Sequence, residues 1–318
     1  MPANLKELRG KIRNVKSTQQ ITKAMKLVSA AKFGRAQQSV VQSRPYFSGL
    51  SGVVSRLCAQ SEMGQHELVK KNSSKEVLLF VVSSQRGLCG GYNANIAKEA
   101  LAEVRKIVAD GYRPTIICLG RKAYQLLSSR LASVGFAYSS RMQIEAEQLK
   151  ESRVSFDDLC GSLALINLAF DKASVELGRQ LGELFRDLYM ANKVHEVRIV
   201  FSRFGSAITQ IPSTSVLLPM QPATAPQTDG EEGFGEYIYE PNIETLVSAA
   251  LPRFLDAQVM QILKEALASE HGARMTAMDN ATRNAKDMER KYQIRYQRAR
   301  QAAITTELVE IISGAEAL

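Results

Sequence analysis

The chain has 318 residues, of which 45% are hydrophobic and 23% are charged, and these are ordinary values for a folded protein of one or two domains. No apolar run approaches the length of about 18 residues that a membrane-spanning helix needs. The four cysteines are far apart and do not cluster with the three histidines, which argues against a zinc site or a disulfide framework.

The net charge of +9 is unevenly distributed along the chain. Residues 1–60 hold eleven basic residues and one acid, whereas the remainder holds 30 bases and 31 acids. The whole positive excess therefore belongs to the N-terminal segment, and this predicts an acidic partner for it.

The first predicted element is a long helix over residues 3–58. Its apolar residues recur in steps of three and four, which is the spacing of one helical face. The face comprises Leu5, Leu8, Ile12 and Val15 and, after a predicted shift in phase, Ile21, Met25 and Val28. Pro45 predicts a kink or a break, because proline removes one hydrogen bond from the helix backbone.

The periodicity changes after a polar connection at residues 60–75. Runs rich in β-forming residues at 76–83 and 115–120 are typical of strands buried on both faces, and helix-like stretches follow them. Residues 156–191 are predicted to form a helix, and 194–204 and 207–218 two more strands. This order predicts a small Rossmann-like α/β domain with a mainly parallel sheet.

The chain ends in a second long predicted helix, residues 242–318, after a flexible loop at 219–241 that is rich in Pro, Gly and Thr. At about 1.5 Å per residue, some 70 residues span about 100 Å, which is more than a globular domain can bury. The predicted stripe comprises Leu255, Val259, Ile262, Leu263, Ala266, Leu267, Met275, Met278, Ala281, Ala285, Met288, Tyr292, Tyr296, Ala299 and Ala303.

Three segments follow from this pattern: a coiled-coil helix at 1–59, a globular α/β domain at 60–241 and a coiled-coil helix at 242–318. The two terminal helices are expected to pair as a long antiparallel coiled coil, because neither can bury its stripe alone.

Two groups of residues suggest chemistry. The turn Gly87–Gly91 lies between a predicted strand and a predicted helix, so it either cradles the phosphate of a nucleotide in an enzyme or is a tight turn that requires glycine. It lacks the spacing of known nucleotide-binding motifs. The basic N-terminal helix either binds nucleic acid or is a solvated coiled-coil face. No acid–base pair, nucleophile triad or metal-ligand set is recognisable, so neither catalysis nor a cofactor is expected.

Several stretches carry a family resemblance. They are Gln20–Lys26 with Ser29–Lys32, Arg86–Asn93, Tyr239–Pro241, and the C-terminal runs Ser269–His271, Ala273–Met275, Ala277–Met278, Ala281–Thr282, Asn284–Ala285, Arg300–Leu308 and Glu310–Ala315. Together they resemble the gamma subunit of the F-type ATP synthase. Gln85 departs from the family pattern, which usually has Asp there.

The resemblance implies a central-stalk rotor that couples ion-driven rotation of a membrane ring to ATP synthesis or hydrolysis at the catalytic beta subunits. The implied partners are the alpha and beta subunits, the epsilon subunit and the c-subunit ring, with no nucleic acid. The implied place is the cytoplasmic side of a bacterial membrane, as a peripheral, non-catalytic subunit.

The resemblance also implies two sets of site residues. The expected contacts with the beta subunit are Lys23, Met25, Lys26, Arg295, Arg298, Arg300, Gln301, Thr305 and Glu307. The expected turn of the foot domain comprises Arg86, Gly87, Leu88, Cys89, Gly90 and Gly91.

Overall fold

The computed structural model describes residues 3–60, 66–145, 160–167, 174–221 and 239–316. Most of the predicted flexible loop, residues 222–238, and part of the predicted connection, residues 61–65, lie outside the described residues. The chain divides into two compact units. The first unit comprises Met1–Ala31 with Arg274–Leu318, and the second comprises Lys32–Ala273.

The second unit contains a six-stranded sheet. Its strands are β1 Glu76–Val82, β2 Arg113–Leu119, β3 Arg141–Glu145, β4 Leu163–Asn167, β5 Glu196–Phe204 and β6 Gln210–Leu218. The spatial order is β3-β4-β2-β1-β5-β6, and β6 alone runs antiparallel to its neighbour. The mainly parallel sheet is as predicted, with both faces covered by helices.

The helices are α1 Ala3–Gln60, α2 Tyr92–Ala109, α3 Arg121–Arg130, α4 Val175–Met190 and α5 Ile243–Glu316. One face of the sheet packs on α2 and α3 through side chains such as Ile96 and Leu127. The other face packs on α4 and on the parts of α1 and α5 that belong to the second unit, through side chains such as Phe185 and Leu255.

The prediction of one helix over residues 156–191 is wrong at residues 163–167, and its parts at 156–159 and 168–173 lie outside the described residues. Residues 163–167 form β4, which pairs with β2 on one side and β3 on the other, while α4 begins at Val175. A short apolar run is compatible with a helix or a buried strand. Here it forms a strand, because its backbone pairs with that of β2. Ser174 caps α4, because its hydroxyl accepts a hydrogen bond from the amide of Leu177.

The two long helices run antiparallel within each unit. In the first unit Arg9 Nε donates to the hydroxyl of Tyr296 over 2.8 Å, so low residue numbers of α1 lie beside high numbers of α5. In the second unit the rings of Phe47 and Phe254 stack with centroids 5.6 Å apart. The predicted antiparallel coiled coil is therefore confirmed. Of the kink or break predicted at Pro45, the break is wrong, because α1 continues through this exposed position as one helix.

Candidate functional site

The face of α1 that packs in the first unit follows an unbroken seven-residue repeat. Its least exposed positions alternate in steps of three and four along Leu5, Leu8, Ile12, Val15, Gln19, Thr22, Lys26 and Ser29. The predicted shift in phase is therefore wrong, since Ile21 and Val28 are exposed and Met25 is only half-buried. Two paired helices stay in contact only while their contact positions keep this repeat. The line of contact positions, here called the seam, therefore includes polar residues wherever the repeat places them.

The matching face of α5 agrees better with the sequence. Met278 and Ala285 are buried, and Tyr292, Tyr296, Ala299 and Ala303 are half-buried, as the predicted stripe requires. Met288 is exposed, and its neighbour Glu289 occupies the packed position instead.

Two cross-helix contacts hold the polar part of the seam. The ammonium of Lys26 donates to Asp279 Oδ1 over 2.5 Å, and the hydroxyls of Thr22 and Thr282 lie 2.9 Å apart. Hydrogen bonds from Lys26 and then from Arg283 hold the pKa of Asp279 below its ordinary value. The carboxylate therefore stays ionised between two cations at neutral pH.

The expected beta-subunit contacts fall into two groups along the first unit. Exposed positions are Lys23, Arg295, Arg298, Arg300, Gln301, Thr305 and Glu307, whereas Lys26 is engaged with Asp279. Because Thr22 lies level with Thr282, the Lys23 group stands about 13 residues, or about 20 Å, from Arg295 along the axis. The structure does not bring the two groups together, and their role stays a prediction.

The Gly87–Gly91 turn joins β1 to α2 and is held by its own side chains. The Ser84 hydroxyl lies 2.6 Å from the carbonyl oxygen of Arg86, and Asn93 Nδ2 donates to the buried sulfur of Cys89 over 3.0 Å. Leu88 and Gly90 both have positive φ, of 62° and 59°, so the backbone coils tightly. Glycine adopts this conformation without a steric penalty at Gly90, whereas Leu88 adopts it at a cost, and the backbone agrees with the tight-turn interpretation of the motif.

A nucleotide-binding α/β fold opens its crevice at the carboxyl ends of neighbouring strands whose helices lie on opposite faces of the sheet. Here β1 and β5 are such neighbours, since α2, which follows β1, and α4, which precedes β5, pack on opposite faces. Here α5 crosses that place. The hydroxyl of Tyr92 donates to the carbonyl of Ala266 over 3.1 Å, and the hydroxyl of Ser269 donates to the carbonyl of Ser202 over 2.9 Å. A Cβ at Gly272 would lie 3.2 Å from the carbonyl oxygen of Ala207. The crevice is thus filled by the protein's own helix.

No group of three or more His, Cys, Asp or Glu side chains in the described part of the chain could hold a metal ion. None of the described helices is both long enough and apolar enough to cross a membrane.

Comparisons with known proteins agree on one family. The family model described as ATP synthase matches residues 4–318. The ATP synthase gamma chain of Geobacter metallireducens is 40% identical over 316 residues, covering 99% of each chain. That of Hyphomonas neptunium is 38% identical over 321 residues, covering all of both chains. A chain in the cryo-EM structure of Euglena gracilis mitochondrial ATP synthase (OSCP/F1/c-ring) shares the fold, with a TM-score of 0.61, 20% identity and coverage of 100% of this chain and 95% of that one. The chain belongs to the ATP synthase gamma chain family.

Proposed function

We propose that this protein is the central-stalk rotor of a bacterial F-type ATP synthase and couples ion-driven rotation of a membrane ring to conformational change at catalytic beta subunits. Family membership supports the assignment. The observation that carries it is the first unit, which consists of a pair of antiparallel helices with a cationic outer surface on α1.

A rotor can drive a ring of neighbours only if its sides differ. On α1 no acidic residue stands between Glu7 and Glu62 in the sequence, so the exposed charges between those positions are all basic. On α5 the exposed charges are mixed, because Arg283 and Lys286 alternate with Asp287. A beta subunit that meets α1 therefore meets a different surface from one that meets α5.

Such differences act by shifting populations. A beta subunit that can adopt open and closed forms is biased only by the difference between its contact energies with the shaft in the two forms. Moving that balance from about 1:99 to 99:1 requires about 5.5 kcal/mol. One elementary charge crossing about 100 mV supplies about 2.3 kcal/mol, so the rotation must pool several ions.

The second unit is suited to binding rather than catalysis. Its crevice at the carboxyl ends of β1 and β5 is occupied by α5, which speaks against a nucleotide-using enzyme built on the Gly87–Gly91 turn. We place this unit against the epsilon subunit and the c-subunit ring, on the cytoplasmic side of the membrane, and the first unit among the alpha and beta subunits. Equilibrium dialysis of the isolated chain with ATP should show no significant binding.

The decisive experiment replaces Arg300 and Gln301 together by alanine in the assembled complex. If these exposed residues contact acidic loops of the beta subunit, ATP synthesis in energised membrane vesicles falls about tenfold, because a charged hydrogen bond contributes about 1.5–3 kcal/mol. The matched control is Lys286→Ala, an exposed cation on the same helix. Full synthesis by the double variant in a normally assembled complex would remove these residues from the coupling path, and failure of the wild-type chain to co-purify with six larger subunits would reject the function itself.

A further inference from the structure

A cavity of about 370 Å³, here called the three-helix cavity, opens in the second unit where α1, α4 and α5 meet. Each helix contributes apolar or aromatic side chains to its walls: Tyr46 and Phe47 from α1, Val175 from α4 and Met260 from α5. Sites for small molecules typically have volumes of about 300–1,000 Å³ and apolar walls with a few polar groups that orient the ligand. The three-helix cavity has the size and the lining of such a site.

Close packing of the three helices fixes the walls of the cavity. The rings of Phe47 and Phe254 stack with centroids 5.6 Å apart and hold α1 against α5. On the other side α4 lies close to α5, because a Cβ at Gly178 would be 3.2 Å from the Cβ of Met260. All these contacts lie within one compact unit. A cavity whose walls are held in this way is preorganised, which reduces the entropic cost of binding a ligand.

Four ionisable side chains line the three-helix cavity: Arg179, Arg253, Asp256 and Lys264. Two of them are neutralised by the protein itself. Asp256 accepts a hydrogen bond from Arg186 over 2.6 Å. Arg179 pairs with Glu176 over 2.9 Å and with Glu183 over 2.6 Å. The charges that remain for a ligand are therefore both positive.

Lys264 is a cation without a counter-ion in the cavity. Its side chain is half-buried, and no hydrogen bond or ion pair joins its ammonium to another residue that the structure describes. The next residue, Glu265, is engaged elsewhere, since its carboxylate accepts hydrogen bonds from the amide of Phe204 over 3.4 Å and from Gln261 over 3.0 Å. Burial lowers the pKa of Lys264. An anion that enters the cavity would relieve this unfavourable burial of charge.

The apolar surface beside Lys264 indicates the shape of the ligand. Met260 and Ala257 lie one and two turns from Lys264 on the same face of α5, and together they extend about 10 Å along the helix axis. Arg253 is exposed and lies one turn beyond Ala257, so each end of this face carries a cation. A short unbranched chain with a carboxylate at one end matches these walls and charges, whereas a cationic amphiphile is repelled.

We propose that the three-helix cavity binds a small aliphatic carboxylate, whose charged group pairs with Lys264 and whose chain lies against Tyr46, Phe47 and Met260. A bound ligand would bridge α1, α4 and α5 and would therefore stabilise the second unit against unfolding. The inference does not depend on the rotor assignment, because every residue in it belongs to the second unit.

The first test is calorimetric titration of the full-length chain with octanoate. Octanoate should bind with a stoichiometry of one, and octan-1-ol at least tenfold more weakly, because a hydrogen bond to a charged group contributes about 1.5–3 kcal/mol. Octylamine should not bind measurably. Hexanoate should bind more weakly than octanoate, by up to about fourfold for each methylene removed. Equal affinities for octanoate and octan-1-ol would overturn the proposal, because the carboxylate would then not be recognised.

The second test changes the cation. Lys264→Met keeps an unbranched side chain without the charge, so the affinity for octanoate should fall at least tenfold. The melting temperature of the free chain should not fall, because the substitution removes a half-buried charge that has no partner. Lys264→Arg should bind within a few-fold of wild type. The matched control is Lys286→Met, an exposed cation on the same helix outside the cavity, which should change the affinity by less than twofold. Equal losses for Lys264→Met and Lys286→Met would show only a general attraction to a basic chain and would refute the site.

The position of the ligand is tested by modification of amines followed by mass spectrometry. Octanoate should slow the acetylation of Lys264 several-fold and leave that of Lys286 unchanged, and the absence of protection at Lys264 would refute the site. Phosphatidylcholine vesicles that contain oleate present the same chemistry at a membrane. A chain that binds these vesicles but not octanoate would overturn a soluble ligand. None of these outcomes bears on co-purification with larger subunits, so the inference and the rotor assignment can fail separately.

Discussion

A glycine pair on α4 provides the sharpest test of how the second unit is packed. Gly182 faces α5, where a Cβ would overlap Asp256 Oδ1 and lie 3.0 Å from its Cγ. One turn earlier, a Cβ at Gly178 would lie 3.2 Å from the Cβ of Met260. The two helices approach this closely because α4 presents no side chain at either position.

Gly182→Ala therefore has two opposing effects on stability: a gain from helix propensity and a loss from overpacking. Alanine improves the helix by about 0.8–1 kcal/mol, whereas overpacking a tight contact costs about 1–3 kcal/mol. Asp256 must also move away from Arg186, to which it is bound over 2.6 Å at a site where both side chains are largely buried. Leaving that guanidinium without its partner costs about 1–3 kcal/mol more, so we expect a net destabilisation of about 1–5 kcal/mol.

Gly49→Ala is the control, because apart from the adjacent backbone of its own helix nothing lies within 4 Å of a Cβ at that exposed position of the same unit. It should stabilise the unit by about 0.5–1 kcal/mol. Urea titrations of the full chain, followed by circular dichroism, give both values, and thermal melts should differ in the same direction by about 2–4 °C per kcal/mol. If the two variants are equally stable within about 0.5 kcal/mol, the close approach of α4 to α5 is wrong.

Three further predictions concern single contacts. Lys26→Asp should lower the melting temperature of the chain by placing like charges together, and adding Asp279→Lys should restore it, which a double-mutant cycle would show as coupling. Because the pKa of Asp279 is lowered in the fold, its ionisation contributes stability that is complete above its ordinary value of 3.8 and is lost as the pH falls through the lower folded value. Asp279→Asn should therefore lose less stability than wild type when the chain is acidified below about pH 4, and equal losses would contradict the pair. Gly120→Ala should destabilise the second unit by about 2–4 kcal/mol in urea titrations, since φ is +110° and a Cβ would lie 2.6 Å from the carbonyl carbon of Ser83.

The sequence alone identified the two long helices, the strands β1 and β2 and the family. Long helices are readable because a period of 3.6 residues repeats over many turns, and β1 and β2 are readable because each is a short run of β-formers bounded by polar or glycine-rich turns. The turn at Gly87–Gly91 was found in the same way, since strand, glycines and helix stand in order along the chain.

Tertiary structure decided which face of each element is covered. Leu163–Asn167 is a strand because its backbone pairs with β2 on one side and β3 on the other. The sequence of these five residues does not by itself predict that pairing. Ile21 and Val28 looked like seam residues because they are apolar, yet the seam passes through Thr22 and Lys26. An apolar period does not by itself say which face of α1 meets α5, because that depends on contacts between residues about 250 positions apart in the chain.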